Sequence, residues 1–140
     1  MRVLRDTNVV LEILLRRGPW LAVAEAIRQA GQEVRLIGYI TASALTDIYY
    51  IGRRLVGREA ARTMVRECLD SLMILPIARN DLEAAFASPL QDFEDALQVA
   101  SAIHHGLVAI ITRDPSDFES SSIPILSPSA LASRLSAADD

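Results

Sequence analysis

Two kinds of block alternate along the chain: short runs of β-branched and aliphatic residues, and longer stretches whose apolar positions recur every three or four residues. Val3-Leu4-Arg5 is the first short run. Asp6 follows at a turn, Thr7 and Asn8 are offered as helix caps, and Val9 to Leu15 resumes with helical character. After Pro19-Trp20, residues 21–29 predict a second helix with Leu21, Ala24, Ala26 and Ile27 on its apolar side and Gly31 closing it. Val34 to Ile40 predicts a second strand, and Thr41 starts a helix reaching Ile51 that carries Asp47 early. Gly57 separates that helix from one bearing Arg58, Arg62 and Arg66, whose spacing puts them on one face, read first as a solvated face. Met73 to Ile77 predicts a third strand, followed by a short helix from Asn80, its cap, to about Phe86; Ser88-Pro89 resets the chain.

Residues 92–106 predict a helix with acidic first turns, His near its end and Gly106 as the stop. Leu107 to Thr112 is continuously apolar, as expected of a parallel strand buried on both faces, and it runs into an acidic turn at residues 113–118. Ile123 to Leu126 makes a short last strand whose proline suits an edge. Ser127 caps a final helix with Pro128 at its first position, and Asp139-Asp140 read as a frayed end. Strands alternating with helices throughout predict a single α/β domain over residues 1–140, three-layer α/β/α with a mostly parallel central sheet.

Composition narrows the picture. The 51% hydrophobic and 23% charged content is that of a soluble globule. Arg16-Arg17 interrupts the first apolar run, and no segment reaches membrane-span length. Asp6, Asn8 and Glu12 occupy positions where a signal peptide needs an apolar core, so a cytoplasmic protein is expected. Cys68 is the only cysteine, which excludes an internal disulfide and a thiolate metal cluster and predicts a packed apolar role. A net charge of −4 argues against nucleic-acid binding through a broad basic surface. All 14 basic residues are arginine, and no lysine is present.

Four separate segments deliver carboxylates to a strand end or an early helix turn: Asp6, Asp47, Asp92 with Asp95, and Asp114 with Asp117. In open α/β sheets ligands bind outside the carboxyl ends of the strands, so these side chains face the expected site. An isolated Asp before a helix is first of all a cap; recurrence at matching positions is harder to assign to capping. Two carboxylates about 4 Å apart repel by roughly 4 kcal/mol at an effective dielectric near 20, so such a cluster requires cations or shared protons. Carboxylate and water ligands select Mg²⁺ or Mn²⁺, which between carboxylates and a phosphate can promote hydrolysis.

Val3-Leu4-Arg5-Asp6-Thr7-Asn8, the run Asp95 to Ala102 and the run Ile111 to Phe118 resemble the signature segments of PIN-domain ribonucleases, a likeness spanning nearly the whole chain. The resemblance implies Mg²⁺- or Mn²⁺-dependent RNA cleavage. It further implies, as for many bacterial members, a VapC-like toxin that forms a homodimer and is held inactive by a cognate antitoxin. By position, Asp6, Asp95 and Asp114 match the family's acidic metal ligands, Asp117 an auxiliary acidic metal position, and Thr112 a hydroxyl that orients the site. Asp47 is counted with the catalytic carboxylates, Asp92 and Asn8 as auxiliary, and Arg113 with the Arg58, Arg62 and Arg66 face as candidate RNA contacts.

Two positions depart from the family. A Glu is usual where this chain has Asp47, and an apolar strand residue is usual where it has Arg5, for which pairing with a nearby carboxylate is the only account. These departures support the competing reading, a non-catalytic interaction protein that has kept the fold. A phosphoaccepting receiver domain requires a lysine, and a nucleotide-binding domain a glycine-rich loop; the chain has neither. His104-His105 lack zinc-ligand spacing.

Overall fold

The computed structural model describes residues 1–15, 21–33 and 35–138. The expectations placed on Arg16-Arg17, Pro19-Trp20, Val34 and Asp139-Asp140 lie outside the described residues. Five strands, β1 (Arg2–Arg5), β2 (Ile37–Thr41), β3 (Met73–Leu75), β4 (Ala109–Ile111) and β5 (Ile125–Leu126), form one sheet in the order β3-β2-β1-β4-β5. Every pairing is parallel. Seven helices are formed among the described residues: α1 (Thr7–Leu15), α2 (Leu21–Gln32), α3 (Ala42–Val56), α4 (Arg58–Ser71), α5 (Arg79–Ala87), α6 (Phe93–His104) and α7 (Pro128–Ala137). A 3₁₀ turn covers Pro115–Phe118.

Side chains alternate across the sheet and build a core on each face. Val3, Ala109 and Ile111 pack with Ile27 of α2 and Leu131 of α7, while Ile40 packs with α1, α3 and α4, Cys68 included as a small buried group. On the other face Leu4, Tyr39 and Ile110 meet Val99 and Ala102 of α6 together with Phe118. The three-layer α/β/α architecture is therefore as expected, with a sheet that is wholly rather than mostly parallel.

Several boundaries differ from expectation. Gly31 lies inside α2 and does not stop it. The second strand begins at Ile37, because Leu36 is buried in the α2/α7 core instead of the ladder. The helix expected from Asn80 starts at Arg79, capped by a residue inside it: Asp81 Oδ2 accepts from the Ala78 N–H at 2.8 Å. Asp81 is only 2% exposed, and its Oδ1 accepts from His104 Nδ1 at 2.6 Å, tying α5 to α6. Burial would raise this carboxyl, yet the Ala78 and His104 hydrogen bonds hold it below the ordinary carboxylate range. Thr41 and Ser127 cap α3 and α7 as expected, each accepting from the amide three residues on, and Gly57 makes the α3–α4 turn at φ 90°.

Arg5 is not paired with a carboxylate among the described residues. Its Nε is shut off from solvent without a hydrogen-bond partner, and burial lowers the guanidinium to about 10. The side chain lies across the bare backbone of Gly38, where a Cβ would stand 2.7 Å from Arg5 Nε. A buried donor without a partner costs about 1–3 kcal/mol. Arg5→Met is accordingly expected to raise stability by about that amount, read as a higher urea midpoint at unchanged slope. A lower midpoint would mean that the guanidinium holds a stabilising partner.

Candidate active site

Asp6 leaves the carboxyl end of β1, fixed there by its own N–H donating to Ile111 O of β4 at 2.9 Å. Its side chain is 9% exposed and gathers donors from three elements. Oδ1 accepts from the Thr7 N–H at 2.8 Å and from Gln98 Nε2 of α6 at 3.0 Å, and Oδ2 accepts from Thr112 Oγ1 at 2.8 Å. A capping carboxylate accepts from amides two or three residues into its helix, so these partners show a different arrangement. The helix begins at Thr7, which leaves Thr7 and Asn8 inside α1 instead of capping it. Thr112 also accepts from the Asp114 N–H at 3.1 Å, so one hydroxyl orients both the carboxylate and the following turn.

Around Asp6 opens a cleft of about 540 Å³. Its carboxyl lining is Asp6, Asp47, Asp92, Glu94, Asp95 and Asp117; Arg54 is the one guanidinium among the lining residues. The excess of negative charge is felt. Partial burial, then Asp92, Asp6, Asp117 and Asp114, push Asp95 up to about 7. Glu94 rises to about 7 as well, first through a hydrogen bond with Asp47, then burial, then the charges of Asp47, Asp92 and Asp6. Glu94 therefore holds its proton into the neutral range, facing the Asp47 carboxyl. Asp92 caps α6, its Oδ1 accepting from the Asp95 N–H at 3.0 Å.

These raised carboxyls set a pH dependence. Between their unfolded values near 4 and about 7, the folded protein binds more protons than the unfolded chain, so stability falls as pH rises through that window. In chelator, melting is expected at lower temperature at pH 8 than at pH 5, modestly because both groups are only half-buried. Equal melting at the two pH values would show that the cluster carries no net repulsion.

The expected residues do not all converge. Asp6, Asp47, Asp92, Asp95 and Asp117 line the cleft. Asp114 does not; it is exposed, and its Oδ2 accepts from Asn8 Nδ2 at 3.0 Å. Arg113 donates to Glu12 through Nη1, on the far side of α1 from the carboxyls. Arg62 and Arg66 line a neighbouring groove, whereas Arg58 lines neither concavity. Glu94 and Gln98 escaped the sequence reading, although both lie on the acidic helix, Gln98 one turn beyond Glu94 and three residues beyond Asp95. Tyr50 and Arg54 also line the cleft, one and two turns beyond Asp47 on α3.

As placed, no three Asp, Glu, His or Cys side chains among the described residues stand close enough to hold an ion. The chemistry of the cleft nevertheless fits a hard cation. Its ligands would be oxygens, and Thr7 Oγ1 and Gln98 Oε1 are buried there with no hydrogen-bond partner. Among the described residues, no helix is long and apolar enough to cross a membrane.

The family model described as PIN domain matches residues 2–116. A toxin–antitoxin complex from Klebsiella pneumoniae is 24% identical over 90% of this chain and 97% of that chain, with a TM-score of 0.66. A VapBC complex from Rickettsia felis bound to a promoter DNA fragment is 12% identical over 91% and 98%, with a TM-score of 0.72. A VapC toxin from Mycobacterium tuberculosis, described as cleaving the sarcin–ricin loop, is 13% identical over 82% and 92%, with a TM-score of 0.67. At these identities the structures establish a shared fold. No curated protein matches the sequence.

Proposed function

Because the chain belongs to the PIN-domain family, we propose that it is a metal-dependent endoribonuclease, acting as the toxin of a toxin–antitoxin pair. The observation that carries the reading is Asp6, held by Thr112 and Gln98 at the end of β1 inside a cleft with five further carboxyls. Asp6, Asp95 and Asp47 would hold Mg²⁺ or Mn²⁺, with Asp117 at the rim and Glu94 beside Asp47; the ion would supply positive charge and Lewis acidity at an RNA phosphodiester. Asp114 supports the site through Asn8 and the Thr112 hydroxyl.

The protein's own contribution is orientation and proton handling. Three donors fix the Asp6 carboxylate before any substrate arrives, so no reorganisation is needed at the moment of reaction. A carboxyl titrating near neutral pH can accept a proton from an attacking water and release it again, a role that suits Glu94. Water adds at phosphorus and the ester oxygen leaves, with no histidine or lysine required. Relatives of this shape are found in complexes with antitoxins, which supports an antitoxin partner here. Exposed apolar side chains, Phe86 at 83% and Leu82 at 41% on one face of α5, supply surface for a homodimer or for that partner.

Purified protein freed of any partner is expected to cleave a structured RNA pool in millimolar Mn²⁺ and to stop in chelator. The ion should also raise the melting temperature, more at pH 8 than at pH 5, since it binds the ionised cleft. A non-catalytic interaction protein is the second reading, favoured by the wide spacing of the carboxyls. No cleavage and no shift in melting would establish it.

A further inference from the structure

Tyr50 stands at the junction of two concavities. It lines the carboxyl cleft and also a groove of about 420 Å³ between α3 and α4, whose lining includes Tyr49, Arg62 and Arg66 but no carboxylate. Its residue surface is 60% exposed, so the ring is open to a ligand from the cleft or the groove. Tyr49 contacts it edge-on, with centroids 5.2 Å apart and planes at 75°. An edge-to-face contact occupies at most one face of the Tyr50 ring. Arg54, one turn further along α3, lines the carboxyl cleft. Neither Arg54 nor Arg62 makes an ion pair with a described residue, and the Arg66–Asp70 pair at 3.0 Å is solvated on both sides.

Resting on the ribonuclease reading, we propose that Tyr50 is a base-stacking residue that selects single-stranded RNA, with Arg62 and Arg66 receiving the phosphates that follow. The strand runs from the carboxyl cleft across Tyr50 into the arginine groove. An exposed ring beside guanidinium groups is what single-stranded nucleic acid uses, the flat ring for a base and the guanidinium groups for the backbone. In an A-form duplex every base is already stacked on its neighbours, so a base can reach Tyr50 only where the RNA is unpaired. The groove compensates for a net acidic protein by placing its positive charge directly beside the carboxyls. An acidic peptide would find the same arginines but would have no use for an exposed ring at the mouth of the cleft.

Binding separates this inference from cleavage. The full chain carrying Asp95→Asn is titrated in Mg²⁺ with an RNA hairpin whose loop contains a fluorescent adenine analogue, and with the same analogue inside a duplex. The loop is expected to bind with quenched emission, and the duplex to bind at least tenfold more weakly. Tyr50→Ala should lose the quench and about tenfold in affinity, while Tyr50→Phe retains both. Arg62→Ala should weaken binding of every single strand and lower the slope against salt by roughly 0.7 per lost phosphate contact. Unchanged quench and affinity in Tyr50→Ala, duplex binding equal to the loop, or displacement by an acidic peptide alone would overturn the stacking role. If wild-type protein still cleaves RNA in any of those cases, the ribonuclease reading stands. If it neither binds nor cleaves RNA, both fall.

Discussion

Asp95→Asn is expected to lower metal-dependent RNA cleavage by about a thousandfold, roughly 4 kcal/mol of transition-state stabilisation, while leaving the fold intact. Asp95 follows the α6 cap, so its backbone N–H remains bound to Asp92 whatever its side chain. Its carboxyl is pushed up to about 7 by burial and by four neighbouring aspartates, so the metal-free protein holds that charge at a cost. The amide removes the charge and keeps the shape. Melting in chelator at pH 8 should therefore rise, and the fall between pH 5 and pH 8 should shrink. The ion-induced gain in melting should shrink with it, since a ligand carboxylate is lost. Circular-dichroism melts at both pH values, paired with single-turnover cleavage, check each part. Cleavage within tenfold of wild type would remove Asp95 from the reaction, and an unchanged melting profile would remove it from the repulsion.

What could be read from the chain beforehand followed from local rules. Asp6 at the end of a β-branched run, Asp92 before an acidic helical turn, and Gly57 between two helices each have a signature within a few residues, and each is found where expected. The misreadings share a cause, which is that a distant segment overrode the local preference. Gly31 marks a helix stop on its own, yet α2 continues through it against α7. Asn80 is a good cap, yet Asp81 takes the Ala78 amide because His104, 23 residues away, holds the other carboxyl oxygen. Asp114 stands exposed beside the cleft, held by Asn8 106 residues earlier, a partner that no local rule names.

The residues that were missed show the same limit. Gln98 reads as one more polar position on an amphipathic helix, and only tertiary packing brings it to within 3.0 Å of Asp6. Arg5 raised the opposite difficulty. Its oddity was visible, but its setting against Gly38 depends on the β1–β2 register, which pairs Val3 with Gly38. Glu94 was hidden because Asp92 and Asp95 flank it and already satisfy the three-residue spacing of a helical face.

Glu94 carries the second large effect. On the proposed reading, Glu94, set against Asp47 across the cleft, would supply the reach that Asp47 lacks beside the glutamate usual in the family the chain resembles. The hydrogen bond with Asp47, then burial and the neighbouring charges, hold Glu94 up at about 7, the range in which a general base exchanges protons at working pH. Glu94→Gln is expected to lower cleavage by about a hundredfold near neutral pH, the low end of what a positioned base contributes. The wild-type rate should rise with pH through a limb at or below about 7, because Glu94 must lose its proton to act, and a bound cation lowers the limb further. In the Gln variant the limb should lose the Glu94 component and keep the one set by Asp95. Asp47→Glu should keep or increase the rate, since it restores reach to the same pair. Asp47→Asn combined with Glu94→Gln should cost little more than the worse single change, as expected of two groups acting as one unit. A Glu94→Gln enzyme within twofold of wild type, with the same pH profile, would leave Asp47 as the working carboxylate and Glu94 as a bystander at the α6 terminus.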